Sequence, residues 1–395
     1  MQNIQSYNFK DKKAIVRVDF NVPLDDTFNI EDPTRITSAL PTINHILNSG
    51  GSVILLSHLG RPEGEKNMDF SFSHLLSQME KLIGKPILFS SDCIGEEADQ
   101  KKQALKPGEI LMMENVRFYT QETKGDMDFA KELSKHADVY VNDAFGAAHR
   151  SHASTTQMAN FFDDKLFGFL MEKELLAIEK VLKTGEKPIT AIIGGAKVSS
   201  KITIIENILP VIDHLIIGGG MIFTFIKAMG GKIGTSLVED DKMELALSLL
   251  EKAKENNVKV LMPVDVIAAD AFSNQANTQI VSSSEIPENW MGLDVGPKTN
   301  QEVQKIIEMS KTILWNGPMG VFELPIFAQG TKSLGDAIAE ATQKGAFSLV
   351  GGGDSVSAAL QMGLRDKVSY ISTGGGAMLE SLEGKALPGV KAILS

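Results

Sequence analysis

At 395 residues the chain is longer than one hydrophobic core comfortably fills, which points to two domains. With 43% hydrophobic and 23% charged residues it has the balance of a soluble globular protein, not of a disordered one. A net charge of −11 argues against nucleic acid as a partner, and a single cysteine, Cys93, excludes an intrachain disulfide or a cysteine-based metal cluster.

Short apolar runs recur along the chain, each ending in glycine or a small polar residue. The first half carries KAIVRVDFN (13–21), GSVILLSHLG (51–60), EILMMENVRF (109–118) and DVYVNDAFG (138–146). The second carries PITAIIGG (188–195), HLIIGGG (214–220), VKVLMPVD (258–265), TILWNGP (312–318), AFSLVGGGD (346–354) and VSYISTGGG (368–376). Continuous apolar runs suit strands buried on both faces, and the helical patterns between them imply right-handed βαβ units. The stretch 34–50, for example, has the 3.6-residue period with Gly50 near its end. The expected fold is therefore α/β, with doubly wound, Rossmann-like parallel sheets. MEKELLAIEKVLKTGEKP (171–188) reads as a helix joining two halves, with the boundary near 184–188. The tail, 382–395, has too little apolar surface to fold alone and is expected to dock elsewhere. The N-terminus lacks the apolar run of a signal peptide. The longest apolar stretch, 215–226, is too short and too glycine-interrupted to cross a bilayer, so a cytoplasmic protein is expected.

Ligands of open parallel sheets bind beyond the carboxyl ends of the strands. In the first half those ends offer Asp19, Asn21, His58, Arg61, Arg117, Asn142 and Asp143, followed by His149, Arg150 and His152. In the second they offer Gly194, Gly195, Lys197, the glycines at 218–220, Asp265, Asn316, Gly317, the glycines at 351–353 with Asp354, and those at 374–376. One half thus presents cations and hydrogen-bonding side chains. The other presents bare backbone, which at helix N-termini holds phosphate chains. The division suggests a nucleotide domain facing a domain for an anionic substrate. Arginine use agrees: of six arginines, five fall in the first 150 residues, where a planar fork of donors fits carboxylate or phosphate. Surface ion pairs account for that count equally well.

Duller readings stand beside several of these. Asp354 suits either a helix N-cap or a magnesium ligand. Arg17 shares a strand face with Asp19 and is expected to pair with it. His45, His74, His136 and His214 read as structural, and HRSH (149–152) has no nearby carboxylate or cysteine to complete a zinc site. IIGGAKVSSK (192–201) looks like a phosphate loop, yet Walker A spacing is absent from the chain.

Taken together, RVDFNVP (17–23), SHLGRP (57–62), ENVRF (114–118), FGAAHRSHAST (145–155), GGAKVSSK (194–201), GGGMIFTF (218–225), WNGPMGVFE (315–323), GGGDSVSA (351–358) and STGGGAMLESLEGKALPG (372–389) resemble the phosphoglycerate kinase family over essentially the whole chain. The resemblance implies two domains facing a cleft: 1–170 with the tail 382–395 for 3-phosphoglycerate, 171–184 as interdomain helix and hinge, and 185–381 for nucleotide. It implies phosphoryl transfer between 1,3-bisphosphoglycerate/ADP and 3-phosphoglycerate/ATP with Mg2+, by a monomer without nucleic-acid or membrane partners. Asp19, Asn21, Arg35, His58, Arg61, Arg117 and Arg150 would hold the phosphoglycerate. Gly195, Lys201, Gly219, Gly292, Asn316, Glu323, Gly351, Gly352, Gly353, Asp354 and Ser355 would hold the nucleotide, with Asp354 beside the metal. Lys197 would meet the phosphoryl group in flight, with Arg35 opposite and the N–H groups around Gly374 and Gly375 adding donors. Three positions depart from the family's usual pattern: Ser200 replaces aspartate, Thr37 a second arginine, and Met378 a serine. Two other classes fit the sequence less well. A catalytically silent binding protein would lack one of Arg35, Lys197, Lys201 or Asp354, and all are present. A dinucleotide dehydrogenase would carry G-x-G-x-x-G after its first strand, and none opens a helix there.

Overall fold

The computed structural model describes residues 3–395. The chain divides into two compact units, one formed by Met1–Leu175 with Ala386–Ser395 and the other by Leu176–Lys385.

The first unit is built on six parallel strands: β1 (Lys13–Val18), β2 (Ser52–Leu56), β3 (Ile87–Ser90), β4 (Ile110–Met113), β5 (Val139–Asp143) and β6 (Lys165–Phe167), in the order β3-β4-β2-β1-β5-β6. Every residue of β2, β4 and β5 is buried, as the continuous apolar runs require of strands covered on both faces. Ile36, Ala39, Ile43 and Ile46 of the helix Thr34–Asn48 recur every three or four residues and pack into this core. The order reverses between β1 and β5, so their carboxyl ends flank the topological switch point.

The second unit has its own parallel sheet of β7 (Ile189–Ile193), β8 (His214–Ile217), β9 (Lys259–Leu261), β10 (Thr312–Asn316), β11 (Phe347–Val350) and β12 (Tyr370–Ile371), in the order β9-β8-β7-β10-β11-β12. Counted within the sheet, this is the 3-2-1-4-5-6 order of doubly wound dinucleotide folds, with its switch point between β7 and β10. Trp315 on β10 is fully buried at the centre of that core.

The sequence runs overshoot the strands, and one of them is broken. Residues 258–265 were expected to form a single strand, but β9 stops at Leu261. Asp265 opens a separate antiparallel sheet in which Asp265–Ala269 pairs with Thr278–Ser282 and Met291–Val295. The Asp265 carboxylate does not stand at a strand's carboxyl end. It accepts the N–H groups of Thr299 at 2.8 Å and Lys298 at 3.0 Å, tying down the first turn of the helix Pro297–Met309.

Asp143 is likewise spent on structure. Its Oδ1 accepts the N–H groups of Leu170 at 2.9 Å and Met171 at 3.1 Å, satisfying the first turn of the helix Phe169–Leu182 that runs from one unit into the other. A Cβ on Gly168 would lie 2.1 Å from that oxygen, so the approach requires glycine. Burial pushes the Asp143 carboxyl up to about 6. The tail forms the helix Pro388–Leu394 within the first unit. Gly389 donates to the Ala148 carbonyl at 2.9 Å and accepts from Asn142 Nδ2 at 3.3 Å, and Lys165 Nζ reaches the Ser395 carbonyl at 2.6 Å. Asn142, too, is therefore a structural residue.

Candidate active site

In the first unit the loops after β1, β2 and β4 converge on Gly60. Asn21 Oδ1 accepts the Gly60 N–H at 2.8 Å, and Arg117 donates to the Gly60 carbonyl at 2.7 Å. Gly60 has φ +61°, and a Cβ there would lie 2.2 Å from the Phe70 ring, so only glycine fits. Arg35, in the first turn of its helix, donates through Nη1 to Asp19 Oδ1 at 3.0 Å and to the Asn21 carbonyl at 3.0 Å. One edge of its guanidinium is thus anchored, while the side chain remains 35% exposed. Arg61 and Arg150 are exposed, and Arg150 Nε donates to His149 Nε2 at 3.3 Å. Burial, with the charges of Arg17 and Arg150, brings Arg117 down to about 10, which leaves it cationic at neutral pH.

Arg17 does not pair with Asp19 as expected. It lies 1% exposed within the sheet, where Nε donates to Ser154 Oγ at 2.8 Å and Nη2 to His58 Nδ1 at 3.3 Å. Ser154 Oγ in turn donates to the buried carboxylate of Glu122 at 2.6 Å. A guanidinium only donates, so His58 Nδ1 accepts and the imidazole proton sits on Nε2. Burial first, then the charges of Arg17, Arg117 and Arg35, hold His58 well below the usual histidine range. His152 is pushed down to about 4 by burial and the same kind of neighbours, Arg117 foremost. The guanidiniums that add to burial in keeping both histidines neutral form a field suited to a polyanion.

In the second unit the phosphate-like loop leaves β7 at the switch point. A Cβ on Gly194 would lie 2.2 Å from the Pro318 carbonyl oxygen, and one on Gly317 would lie 2.2 Å from the Gly194 oxygen. The two strand ends therefore meet backbone to backbone. Lys201 Nζ donates to Asn316 Oδ1 at 2.7 Å, and Asn316 Nδ2 donates to the Gly351 carbonyl at 2.7 Å. Burial lowers the Lys201 ammonium, and the carboxylates of Asp354 and Glu383 oppose that shift. Ser355 Oγ accepts the Gly317 N–H at 2.5 Å.

Gly352, with φ +92°, occupies the N-cap position of the helix Gly353–Gln361. Asp354 is not the cap; it lies exposed in the first turn. Met378, one of the departures, is fully buried against Gly351, where a Cβ would lie 1.7 Å from its Sδ. Ser200, another, donates to the Lys197 carbonyl at 2.9 Å and braces that loop, leaving the Lys197 side chain exposed. Gly374 is buried, and Gly375, with φ +46°, precedes the helix Gly376–Leu382.

Next to these residues lies a cavity of about 680 Å³, ample for a nucleotide-sized ligand. Gly195, Gly219, Gly292, Glu323 and Asp354 line it, all of them singled out from the sequence. Lys201, Asn316, Gly351, Gly352, Gly353 and Ser355 adjoin it through Gly195 and Asp354, whereas Lys197, Gly374 and Gly375 do not line it. The apolar walls escaped the sequence reading. Phe223 and Val321 fall inside quoted motifs without being singled out, while Leu237, Met291, Leu293 and Leu324 lie in segments that no apolar run marked. Asp294 also escaped, although a lone carboxylate inside MGLDV was a signal.

A family model described as phosphoglycerate kinase matches residues 4–385. The chain belongs to the phosphoglycerate kinase family. A phosphoglycerate kinase of Porphyromonas gingivalis is 52% identical over 415 aligned positions, covering 99% of each chain. A cytosolic phosphoglycerate kinase of Triticum aestivum is 52% identical, covering 98% of this chain and 96% of its own. The solved structure of phosphoglycerate kinase from Coxiella burnetii matches with a TM-score of 0.91 at 39% identity, covering 100% of this chain and 98% of its own. The phosphoglycerate kinase structure from Pyrococcus horikoshii matches at 0.83 and 30%, with the same coverage. The α/β fold of parallel-sheet domains read from the sequence is the fold of these structures.

Proposed function

We propose that the chain catalyses reversible phosphoryl transfer between 1,3-bisphosphoglycerate with ADP and 3-phosphoglycerate with ATP. The observation that carries this is family membership across the whole chain, with both expected sets of residues intact. On the first unit, Arg35, Arg61, Arg117, Arg150 and His58, together with Asp19 and Asn21, bind the phosphoglycerate. The convergence of cations around a neutral His58 supports this. On the second unit, the cavity beside Gly195 and Gly219 takes the nucleotide, and Lys201, held on Asn316, faces its phosphates.

The chemistry needs charge stabilisation, not proton abstraction. The acceptor is a carboxylate of pKa about 3.5, already ionised at neutral pH, so no general base is required. Negative charge spreads over the equatorial oxygens of the moving phosphoryl group, and fixed cations and N–H donors aimed there lower the barrier. We assign that role to Lys197, Arg35 and the backbone at Gly374 and Gly375. These groups belong to separate units, so the reaction requires the units to bring them together, the Phe169–Leu182 helix acting as part of the hinge, with water excluded from the acyl phosphate. The exposed Asp354 carboxylate at the cavity is a hard oxygen donor suited to Mg2+ shared with nucleotide phosphates. When bound, that ion would neutralise phosphate charge. We further place the protein in the cytoplasm as a monomer. Among the described residues no helix is long and apolar enough to cross a membrane.

A coupled assay with 3-phosphoglycerate, ATP and Mg2+ tests this reading. Turnover is expected in the unaltered protein, and Lys197→Ala should lower kcat by about 10²–10³-fold while ADP still binds. Near-normal turnover in Lys197→Ala would remove that lysine from the mechanism, and no turnover in the unaltered protein would remove the function.

A further inference from the structure

Asp294 is a charged residue inside an apolar strand, and the reaction above gives it no part. It is 3% exposed in the strand Met291–Val295 and lines the 680 Å³ cavity. Its Oδ2 accepts the Gly330 N–H at 2.8 Å and its Oδ1 the Val295 N–H at 2.9 Å. Gly330 belongs to the first turn of the helix Gln329–Gln343. The next residue, Thr331, is fully buried and accepts through Oγ1 from the Met319 N–H at 3.1 Å and the Gly320 N–H at 3.4 Å. Val321 then donates to the Leu293 carbonyl at 2.8 Å, closing the circuit back onto the strand. Two glycines admit the carboxylate: a Cβ on Gly320 or Gly330 would lie 2.2 or 2.3 Å from Asp294 Oδ1.

Burial pushes this carboxyl up to about 7, and the N–H groups of Gly330, Val295 and Gln329 pull against that. No charged side chain is among the groups acting on it. A buried carboxylate with no cation, ringed by fixed N–H donors, is an expensive way to hold a turn, unless the geometry it fixes matters. What it fixes is the apolar part of the cavity, where Leu293, Met319 and Val321 are presented. The phosphate-like features, Gly195 and Asp354, are the polar part of the same cavity.

We infer that Asp294 is the positioning residue for the base end of the nucleotide site, joining the strand Met291–Val295 to the start of the helix Gln329–Gln343 and so fixing the walls between which a purine base lies. The inference rests on the nucleotide reading of this cavity. Asp294→Asn preserves shape but turns an amide N–H toward one of the backbone donors. The KM for ATP should rise about tenfold while kcat falls less than threefold and the KM for 3-phosphoglycerate stays level. By calorimetry the affinity for ADP should fall by the same factor, whereas inorganic tripolyphosphate, which has no base, should bind as before. Thr331→Val breaks the circuit at a second point and should give the same signature; it decides the matter if Asp294→Asn fails to fold. An unchanged nucleotide KM, or an equal loss of tripolyphosphate affinity, overturns the inference. Should the unaltered protein bind ADP no more tightly than tripolyphosphate, the base site itself is refuted, and the inference with it; that outcome is distinguishable because it needs no variant.

Discussion

At the level of single residues the proposed anion site turns on which groups are charged. His58 is held neutral because it is buried among guanidiniums, and Arg17 fixes its tautomer by donating to Nδ1. A neutral ring with its proton on Nε2 offers an anionic ligand a donor without a second cation having to be desolvated. The imidazole 15N shifts of His58 should therefore stay those of the neutral Nε2–H form from about pH 5 to 9. Arg17→Gln weakens both constraints, so the ring should begin to titrate nearer its ordinary value and the KM for 3-phosphoglycerate should rise about tenfold. A His58 that titrates near pH 6.5 in the unaltered protein would refute the assignment. The sequence could not have predicted this pairing. Strand alternation does put Arg17 and Asp19 on one face, but the partners that claim Arg17 are Ser154 and His58, brought from loops far along the chain. Asp19, Asn21 and Arg117 were legible for the opposite reason: they follow strands whose apolar runs announce where each strand ends.

Among elements, the second sheet depends on the two strand ends that meet at its switch point. Gly317 has φ +116°, and a Cβ there would lie 2.2 Å from the Gly194 oxygen, a contact made by backbone that has nowhere to go. Gly345 has a similar φ, +100°, with nothing within 4 Å. Gly345→Ala should then carry only the left-handed strain, about 1 kcal/mol, while Gly317→Ala adds overpacking and should destabilise by about 3 kcal/mol or more. Urea titration of the two variants compares the terms directly, and equal losses would mean that the close approach contributes nothing. The glycine clusters that reveal this junction were readable because bare backbone after an apolar run is itself a sequence pattern. Other elements left no such mark. β3 and β6 are short, with four and three residues. Thr278–Ser282 alternates between exposed and half-buried positions, and its neighbour Asp265–Ala269 meets Met291–Val295 through a bulge. Apolar-run length detects unbroken apolar strands and passes over short ones, alternating ones, and buried ones interrupted by a carboxylate or glycine, such as Met291–Val295. Two of the apolar walls of the cavity, Met291 and Leu293, lie on such a strand, and Leu237 and Leu324 lie outside any strand, which is why the glycines lining the cavity were found and these walls were not.

For the molecule as a whole, buried titratable groups give the two units different responses to pH. In the first unit, burial and neighbouring guanidiniums push His152 down to about 4 and hold His58 well below the ordinary 6.5. The unfolded chain binds the more protons in that interval, so these groups make stability rise from about pH 4 to 6.5. Asp143, raised to about 6, opposes them over part of the range. In the second unit Asp294 is raised to about 7 from the usual 3.8. There the folded state binds the more protons, so its contribution falls as pH rises between those values and is level above. His214, lowered by burial, pulls the other way only below its ordinary value. Asp294→Asn removes the falling contribution and leaves the rest. Relative to the unaltered protein, the unfolding transition of the second unit should therefore gain stability steadily from about pH 4 to 7 and hold that gain to pH 9, whatever constant offset the lost acceptor adds. The transition of the first unit should not respond. Urea unfolding followed across this range by tryptophan fluorescence reads the second unit alone, because Trp290 and Trp315 lie in it and the first unit contains no tryptophan, while far-UV circular dichroism reads the two transitions together. A difference between variant and parent that stays flat across pH would show that Asp294 ionises in the folded chain as it does in water, its ring of N–H donors offsetting its burial in full.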